Sequence, residues 1–384
     1  MNNSRVLVVY SGWLGDLVWL VPTIHALKTS FESVSLVVSE VQAPLAAIMK
    51  NGLLDNVYVD VPSRRLASAK AVRKAAQVQS IDTFIDFKGR WKTGIYMPWG
   101  QNLNIWLPHR KDAREYALSR LFHPLAMNMP ARSEGHMVDA YLSALGGLGT
   151  RSTPVSFDLP FSAETIREGE RIIEEEGLRE KKSISINLGS AQYSKIWPIE
   201  RVVHLANVLE RDMGCKVVLM GARGFAPNEN YDARMSQEVL GNTTCTNLIE
   251  STDLAVDAYL LSSGAFSVSV GNDSFAGHMA GSANEVSSDT AGAVQAKNGH
   301  WYKANHTVAL FGPTNPVFCQ PYDPTGTFST VVMPEAYPPE CVYNREDHTC
   351  PHYGDQYCAD RAHCMQHITV EQVVEAISAK LQTA

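Results

Sequence analysis

Asp16 ends the stretch Ser11-Gly12-Trp13-Leu14-Gly15-Asp16, a loop with two glycines between an apolar run and a helical pattern. A carboxylate at the mouth of a helix can take the proton from an attacking hydroxyl held within hydrogen-bond reach. It can equally cap the helix, which is the commoner use of Asp at such a place, and spacing alone does not separate the two. Lys195 lies just beyond Gly189-Ser190 and precedes Ile196-Trp197-Pro198. A lysine there neutralises a phosphate while hydroxyls and loop amides complete a cradle; a plain surface lysine fits the spacing as well. Asp273-Ser274 stands before another helix start. There the amides of Ser274 and Phe275 would face an anion and Asp273 would accept from sugar hydroxyls, unless Asp273 is a second cap. His278 would reach the same anion or be packed. The pattern lacks Walker spacing, which disfavours a nucleoside triphosphatase.

Two further groups have chemical potential. Arg64, Arg65, Lys88, Arg90 and Lys92 all follow apolar runs that read as strands, so they could form a basic rim suited to an anionic ligand; each taken singly is an ordinary loop charge. Cys341, Cys350, Cys358 and Cys364, interspersed with His348, His352, His363 and His367, have metal-like composition without any C-x-x-C pair. Reduced thiols packing a loop-rich segment is the leading reading; a structural zinc or iron is the minority one.

Parallel sheets must hold these residues in place. Val6–Tyr10 reads as a buried parallel strand, and Leu17, Leu20, Val21, Ile24 and Leu27 recur at helical spacing behind it. Strands over 34–38, 57–61 and 83–87 alternate with helices over 44–49 and 67–78. Residues 95–135 are less regular, and a helix over 136–145 follows. An extended stretch from Thr150 to Pro160 marks a boundary, giving a domain over 1–160 and another over 161–384. The second half repeats the pattern. Strands are predicted over 182–187, 216–220, 266–270 and 307–311, and helices over 164–176, 199–213 and 369–381, with a helical stretch from Asp257. Alternation of this kind means βαβ units, and ligands bind at the carboxyl edge of such sheets. Paired α/β halves also favour a ligand site between domains.

Bulk composition narrows the class. The chain has 384 residues, 45% of them hydrophobic and 19% charged, with a net charge of −7. That is ordinary for a water-soluble protein and argues against nucleic acid as a partner. No apolar run approaches bilayer length. Asp16 breaks the apolar stretch that would otherwise pass for a signal peptide, so a cytoplasmic location is expected. Seven cysteines, an odd count, suit reduced thiols better than a disulfide framework.

Taken in order, several motifs resemble those of glycosyltransferase family nine, the ADP-heptose heptosyltransferases of lipopolysaccharide core assembly. They are Ser11-Gly-Trp-Leu-Gly-Asp16 with Val21-Pro22 and Ala26-Leu27-Lys28, Ile85-Asp86-Phe87-Lys88-Gly89, Lys195-Ile-Trp197-Pro198, Val270-Gly-Asn-Asp273-Ser274 with His278-Met-Ala280, and Val308-Ala-Leu-Phe-Gly312-Pro313-Thr314. Cys350-Pro351, Cys364-Met365 and Ile368-Thr-Val-Glu371 close the set. The resemblance implies a GT-B fold, two facing Rossmann-like domains with an interdomain cleft, the acceptor on the first and the ADP-sugar on the second. It implies inverting, metal-independent transfer of heptose from ADP-heptose, with no cofactor, to an anionic lipid-linked saccharide, and a peripheral contact with the inner membrane.

By the same resemblance Asp16 is the general base, and Lys195 with Ser190 and Ala191 holds the donor phosphates. Asp273 holds sugar hydroxyls, Ser274, Phe275 and His278 sit by the diphosphate, and Gly312 and Thr314 lie on the donor side. Glu229 is a candidate adenosine ligand, and Arg64, Arg65, Lys88 and Arg90 face the acceptor. The chain departs from the pattern at Phe275, where the family often has Gly, in extra residues from Gly221 to Tyr231, and in an insertion over 284–306 before the last strand. These departures keep open transfer to a protein or natural-product acceptor, and a non-catalytic sugar-nucleotide binder.

Overall fold

The computed structural model describes residues 4–10, 12–60, 81–87, 104–108, 127–129, 135–148, 154–180, 182–221, 231–249, 251–282, 293–295, 301–303, 305–336 and 364–383. The chain divides into two compact units, Met1–Ser162 and Ala163–Ala384. In the first, six strands form one sheet: β1 (Arg5–Tyr10), β2 (Ser33–Ser39), β3 (Asn56–Asp60), β4 (Thr83–Asp86), β5 (Asn104–Pro108) and β6 (Met127–Met129). Their spatial order is β3-β2-β1-β4-β5-β6, and every pairing is parallel. Val6 to Tyr10 are all buried, as a parallel strand covered on both faces requires. The helix Leu14–Ser30 returns along the sheet, and Leu17, Leu20, Ile24 and Leu27 are wholly removed from water. Pro22 lies inside this helix.

The second unit repeats the plan with β7 (Ser183–Asn187), β8 (Lys216–Met220), β9 (Thr246–Asn247), β10 (Val268–Asn272), β13 (His306–Leu310) and β14 (Ser329–Val332). Between β10 and β13 a separate antiparallel pair forms from β11 (Ala293–Gln295) and β12 (Trp301–Lys303). The main sheet runs β14-β13-β10-β7-β8-β9, again all parallel. Numbered within its own unit, each sheet therefore has the order 3-2-1-4-5-6, the dinucleotide-fold order whose direction reverses beside the first strand. The reversal lies between β1 and β4 in one unit and between β7 and β10 in the other. One face of the second sheet is apolar: Ile184, Ile186, Val217, Leu219, Val268, Val270, Val308 and Leu310 pack with Trp197, Leu205, Met365, Val373 and Ile377. Ser185 and Ser269 point to the other face, where their hydroxyls meet at 2.8 Å.

Several boundaries differ from the sequence reading. The strand expected over 266–270 instead runs over Val268–Asn272. Gly271 and Asn272 stay in the ladder beside β7 and β13, so a search for an apolar run stops two residues short. The helix behind Asp273-Ser274 starts at Phe275, with His278 in its last turn. The strand at 306–310 is not the last, because β14 follows it. The short segments β5, β6, β9, β11 and β12, and the helix Tyr231–Leu240, were not anticipated.

Asp257, in the helix Leu254–Ser262, is a buried acid that serves no part of the site described below. Burial raises its carboxyl to about 7; the Thr252 hydroxyl bond opposes this and nearby Asp253 adds to it. Between about pH 4 and 7 the unfolded chain sheds this proton while the folded chain keeps it, so stability falls across that window. Asp257→Asn keeps an acceptor for Thr252. It is expected to stabilise the protein by roughly 2–4 kcal/mol at pH 8, with the gain vanishing below pH 4, as read by urea denaturation at the two pH values.

Candidate functional site

Strand order brings together residues far apart in the chain. β7 exits into Leu188-Gly189-Ser190, a 3₁₀ turn follows over Tyr193–Lys195, and β10 exits into Asp273-Ser274. Because β7 and β10 are neighbours across the reversal of the sheet, Lys195 and Asp273 meet there. The Lys195 ammonium donates to Asp273 Oδ2 at 2.6 Å, with the two side chains only 13% and 5% exposed. The Thr314 hydroxyl donates to the same oxygen at 2.8 Å, and His278 Nε2 stands 3.3 Å from Oδ1. Burial alone would raise the Asp273 carboxyl, but the Lys195 charge and the His278 bond and charge outweigh it and hold the group well below the usual carboxylate range. At neutral pH it is therefore a carboxylate. As a sum Lys195 and Asp273 carry no net charge; what they offer an anion is an ammonium already oriented and partly stripped of water, so that reorganisation is complete before a ligand arrives.

A second group fixes the loop that carries Lys195. Asn272 Nδ2 donates to the Leu188 carbonyl at 2.9 Å, and Asn272 Oδ1 accepts from the Trp197 amide at 3.1 Å. This buried carboxamide thus ties both ends of the segment from 188 to 197 to β10. Trp197 inserts into the core and its indole N–H finds the Ile368 carbonyl at 3.0 Å, the partner a buried Trp needs. The Ile-Trp-Pro sequence after Lys195 is therefore an anchor. Ser190 is buried and its hydroxyl donates to the Asp273 carbonyl at 3.4 Å. Ala191, Ser274, Phe275 and Thr314 are half-buried around the same strand ends. Ser274 is the N-cap residue of the helix Phe275–Gly281, but its side chain makes no cap bond.

Gly312 has a different reason to be glycine. A Cβ there would lie 2.5 Å from Cys364 Sγ and 2.7 Å from Met365 Sδ. Cys364 and Met365 are buried in the core behind the Lys195 loop, so the chain passes them without a side chain. Gly312→Ala is expected to cost about 1–3 kcal/mol by overpacking, seen as a lowered melting temperature. Among the described residues no group of three or more His, Cys, Asp or Glu is arranged for a metal ion; Cys341, Cys350 and Cys358 lie outside the described residues.

In the first unit, Asp16 occupies the first turn of the helix Leu14–Ser30, directly after β1 and beside the reversal between β1 and β4. It is half-buried, and Oδ2 accepts from the Trp13 amide at 3.3 Å; the N-cap residue is Trp13, so Asp16 is not the N-cap itself but the third helical residue, reaching back to the N-cap amide. Tyr10, Phe87 and Tyr141 form an edge-to-face cluster at the ends of β1 and β4, with the Tyr10 and Tyr141 hydroxyls 2.9 Å apart. Two residues that sequence reasoning passed over complete the arrangement: Ser39 and Gln42 both bond the Gly12–Trp13 loop. Their only signal was position: Ser39 ends the strand beside β1 and Gln42 lies in the turn that follows it. Trp13 is 48% exposed, one of few large apolar side chains so exposed among the described residues. Arg64, Arg65, Lys88 and Arg90, and Glu229 in the second unit, lie outside the described residues.

Against known proteins, the family model for glycosyltransferase family 9 (heptosyltransferase) matches residues 70–286. No curated protein matches the chain. Among solved structures, the glycosyl transferase family 9 protein from Veillonella parvula DSM 2008 is 21% identical with a TM-score of 0.73, and the match covers 100% of this chain and 99% of that one. E. coli ADP-heptose lps heptosyltransferase II is 19% identical, with a TM-score of 0.64 and 98% of each chain covered. E. coli heptosyltransferase WaaC with ADP is 16% identical, with a TM-score of 0.64 and 99% of each chain covered. At these identities the likeness concerns the fold, two parallel α/β units of GT-B type.

Proposed function

This chain belongs to glycosyltransferase family 9, and from that premise we propose that it transfers heptose from ADP-heptose to a saccharide acceptor of lipopolysaccharide core. The observation that carries the reading is the desolvated Lys195–Asp273 pair, with Thr314 and His278 on the same carboxylate, at the carboxyl edge where the second sheet reverses. Ligands of such sheets bind at that edge, and a departing diphosphate needs a fixed positive group as charge develops on it.

The reaction is an inverting displacement in which the chain supplies the polar groups. Asp16 removes the proton from the acceptor hydroxyl as its oxygen bonds to the anomeric carbon. The bond from that carbon to the β-phosphate oxygen breaks, and ADP leaves with its charge met by Lys195 and by the amides of the Ser190–Ala191 and Ser274–Phe275 loops. A carboxylate has about four lone-pair sites; the three protein contacts on Asp273 leave one for a sugar hydroxyl. The first unit takes the acceptor and the second the ADP-sugar, with Arg64, Arg65, Lys88 and Arg90 meeting an anionic, lipid-linked acceptor and Glu229 the adenosine. On this reading the enzyme works in the cytoplasm, in peripheral contact with the inner membrane, where a lipid-linked acceptor of this kind is met.

Incubation with ADP-heptose and heptose-deficient lipopolysaccharide should release ADP as the acceptor gains one sugar. Silence with every saccharide acceptor, combined with heptose found on a co-expressed protein, would replace this acceptor by a protein one.

A further inference from the structure

Gln42 is wholly buried, yet its side chain is polar at both ends and both ends are used. Its Oε1 accepts from the Gly12 amide at 3.2 Å and from the Ser39 amide at 3.2 Å. Its Nε2 donates to the Trp13 carbonyl at 3.0 Å. The Ser39 hydroxyl lies 2.9 Å from the Gly12 carbonyl and 3.1 Å from Gln42 Oε1. Three successive peptide planes are thereby held: the one ending in the Gly12 N–H, the one from the Gly12 carbonyl to the Trp13 N–H, and the one that begins at the Trp13 carbonyl. The middle plane is the one whose N–H donates to Asp16 Oδ2. On its opposite end sits the Ser39 hydroxyl.

We propose that Gln42, with Ser39, is a positioning residue for Asp16, setting the angle at which the carboxylate meets the acceptor hydroxyl. This rests on Asp16 being the general base. A carboxamide is the group that can do it, because the site requires an acceptor and a donor on one planar head. Glu at 42 keeps the size but brings no N–H for the Trp13 carbonyl; Met keeps the volume and loses both functions.

The test compares wild type with Gln42→Glu and Gln42→Met, each alone and together with Asp16→Asn, using ADP-heptose and heptose-deficient lipopolysaccharide as probes. Misplacement of a reacting group by about an ångström costs on the order of a hundred-fold. The expected result is a kcat lower by about that factor, KM for ADP-heptose unchanged, and faster hydrogen exchange at the Gly12 and Trp13 amides. In the Asp16→Asn background the Gln42 changes should have no further effect on the residual rate, since residues acting as a unit are not additive. If Gln42→Glu turns over like wild type, or the two amides exchange no faster in the folded variant, the proposal is overturned while the role of Asp16 stands. Losses that multiply with Asp16→Asn also overturn it, because Gln42 then acts elsewhere. Full activity of Asp16→Asn alone would remove the base reading itself.

Discussion

Asp16→Asn lowers turnover by about a hundred- to ten-thousand-fold, the usual contribution of a positioned general base, while affinity for ADP-heptose stays near that of the wild type. Asn still accepts a hydrogen bond from the Trp13 amide, so the first turn of the helix Leu14–Ser30 keeps the contact Asp16 makes there. The substitution therefore separates the two uses of this carboxylate. A cap alone is worth about 1 kcal/mol of stability, which leaves turnover by the folded enzyme untouched. Loss of the proton acceptor leaves stability nearly unchanged and removes catalysis. Equilibrium binding of ADP-heptose by calorimetry, beside initial rates of ADP release, reads both quantities on one variant. Wild-type rates from Asp16→Asn would return the residue to capping.

Lys195→Met has the second large effect, and it acts on fold and chemistry together. The substitution strands Asp273, whose side chain is only 5% exposed, with His278 and Thr314 as the side-chain partners left to it among the described residues. Breaking a buried pair from one side costs about 3–5 kcal/mol, because the remaining charge is uncompensated. Removing one fixed group that meets developing charge lowers the rate by about a hundred- to a thousand-fold. The double variant Lys195→Met, Asp273→Asn separates these losses: most of the stability should return, and the turnover should not. The sign with pH follows from the depressed Asp273 carboxyl. Its contribution to stability is fully present above the unfolded value near 3.8 and is lost only as the pH falls through the lower folded value. The gap in stability between wild type and Lys195→Met, followed by denaturant titration, is therefore wide at pH 7 and narrows as the pH falls from the variant's Asp273 carboxyl, which burial raises once the lysine is gone, toward the depressed wild-type one.

What could be read from the sequence follows from what is local. The first strand, the glycine loop and the helix behind it are local patterns, an apolar run followed by a 3.6-residue period, and they place Asp16 correctly. The alternation of strands and helices likewise gave parallel sheets. Pairing between Lys195 and Asp273 was not legible, because the residues are 78 positions apart and meet only through the strand order β10-β7. Asp273 was read as a hydroxyl acceptor, and nothing in Gly-Asn-Asp-Ser shows that a lysine, a threonine and a histidine converge on its carboxylate. Asn272 was missed because strands were sought as apolar runs, and its buried carboxamide is the polar end of one. Gln42 sits in Ser39-Glu-Val-Gln42, a sequence like any short helical turn; only the neighbouring strand β1 gives it a loop to hold. The crowding of Gly312 by Cys364 and Met365, more than fifty residues further along the chain, was likewise not legible.

The most direct test of the account is the anomeric configuration of the product, read by NMR after a single turnover on ADP-heptose and heptose-deficient lipopolysaccharide. One direct displacement by an oxygen that Asp16 has deprotonated predicts a heptoside of configuration opposite to the donor, formed in step with ADP. A product that keeps the donor's configuration, or bound ADP-heptose that never loses its sugar to any acceptor, would contradict it.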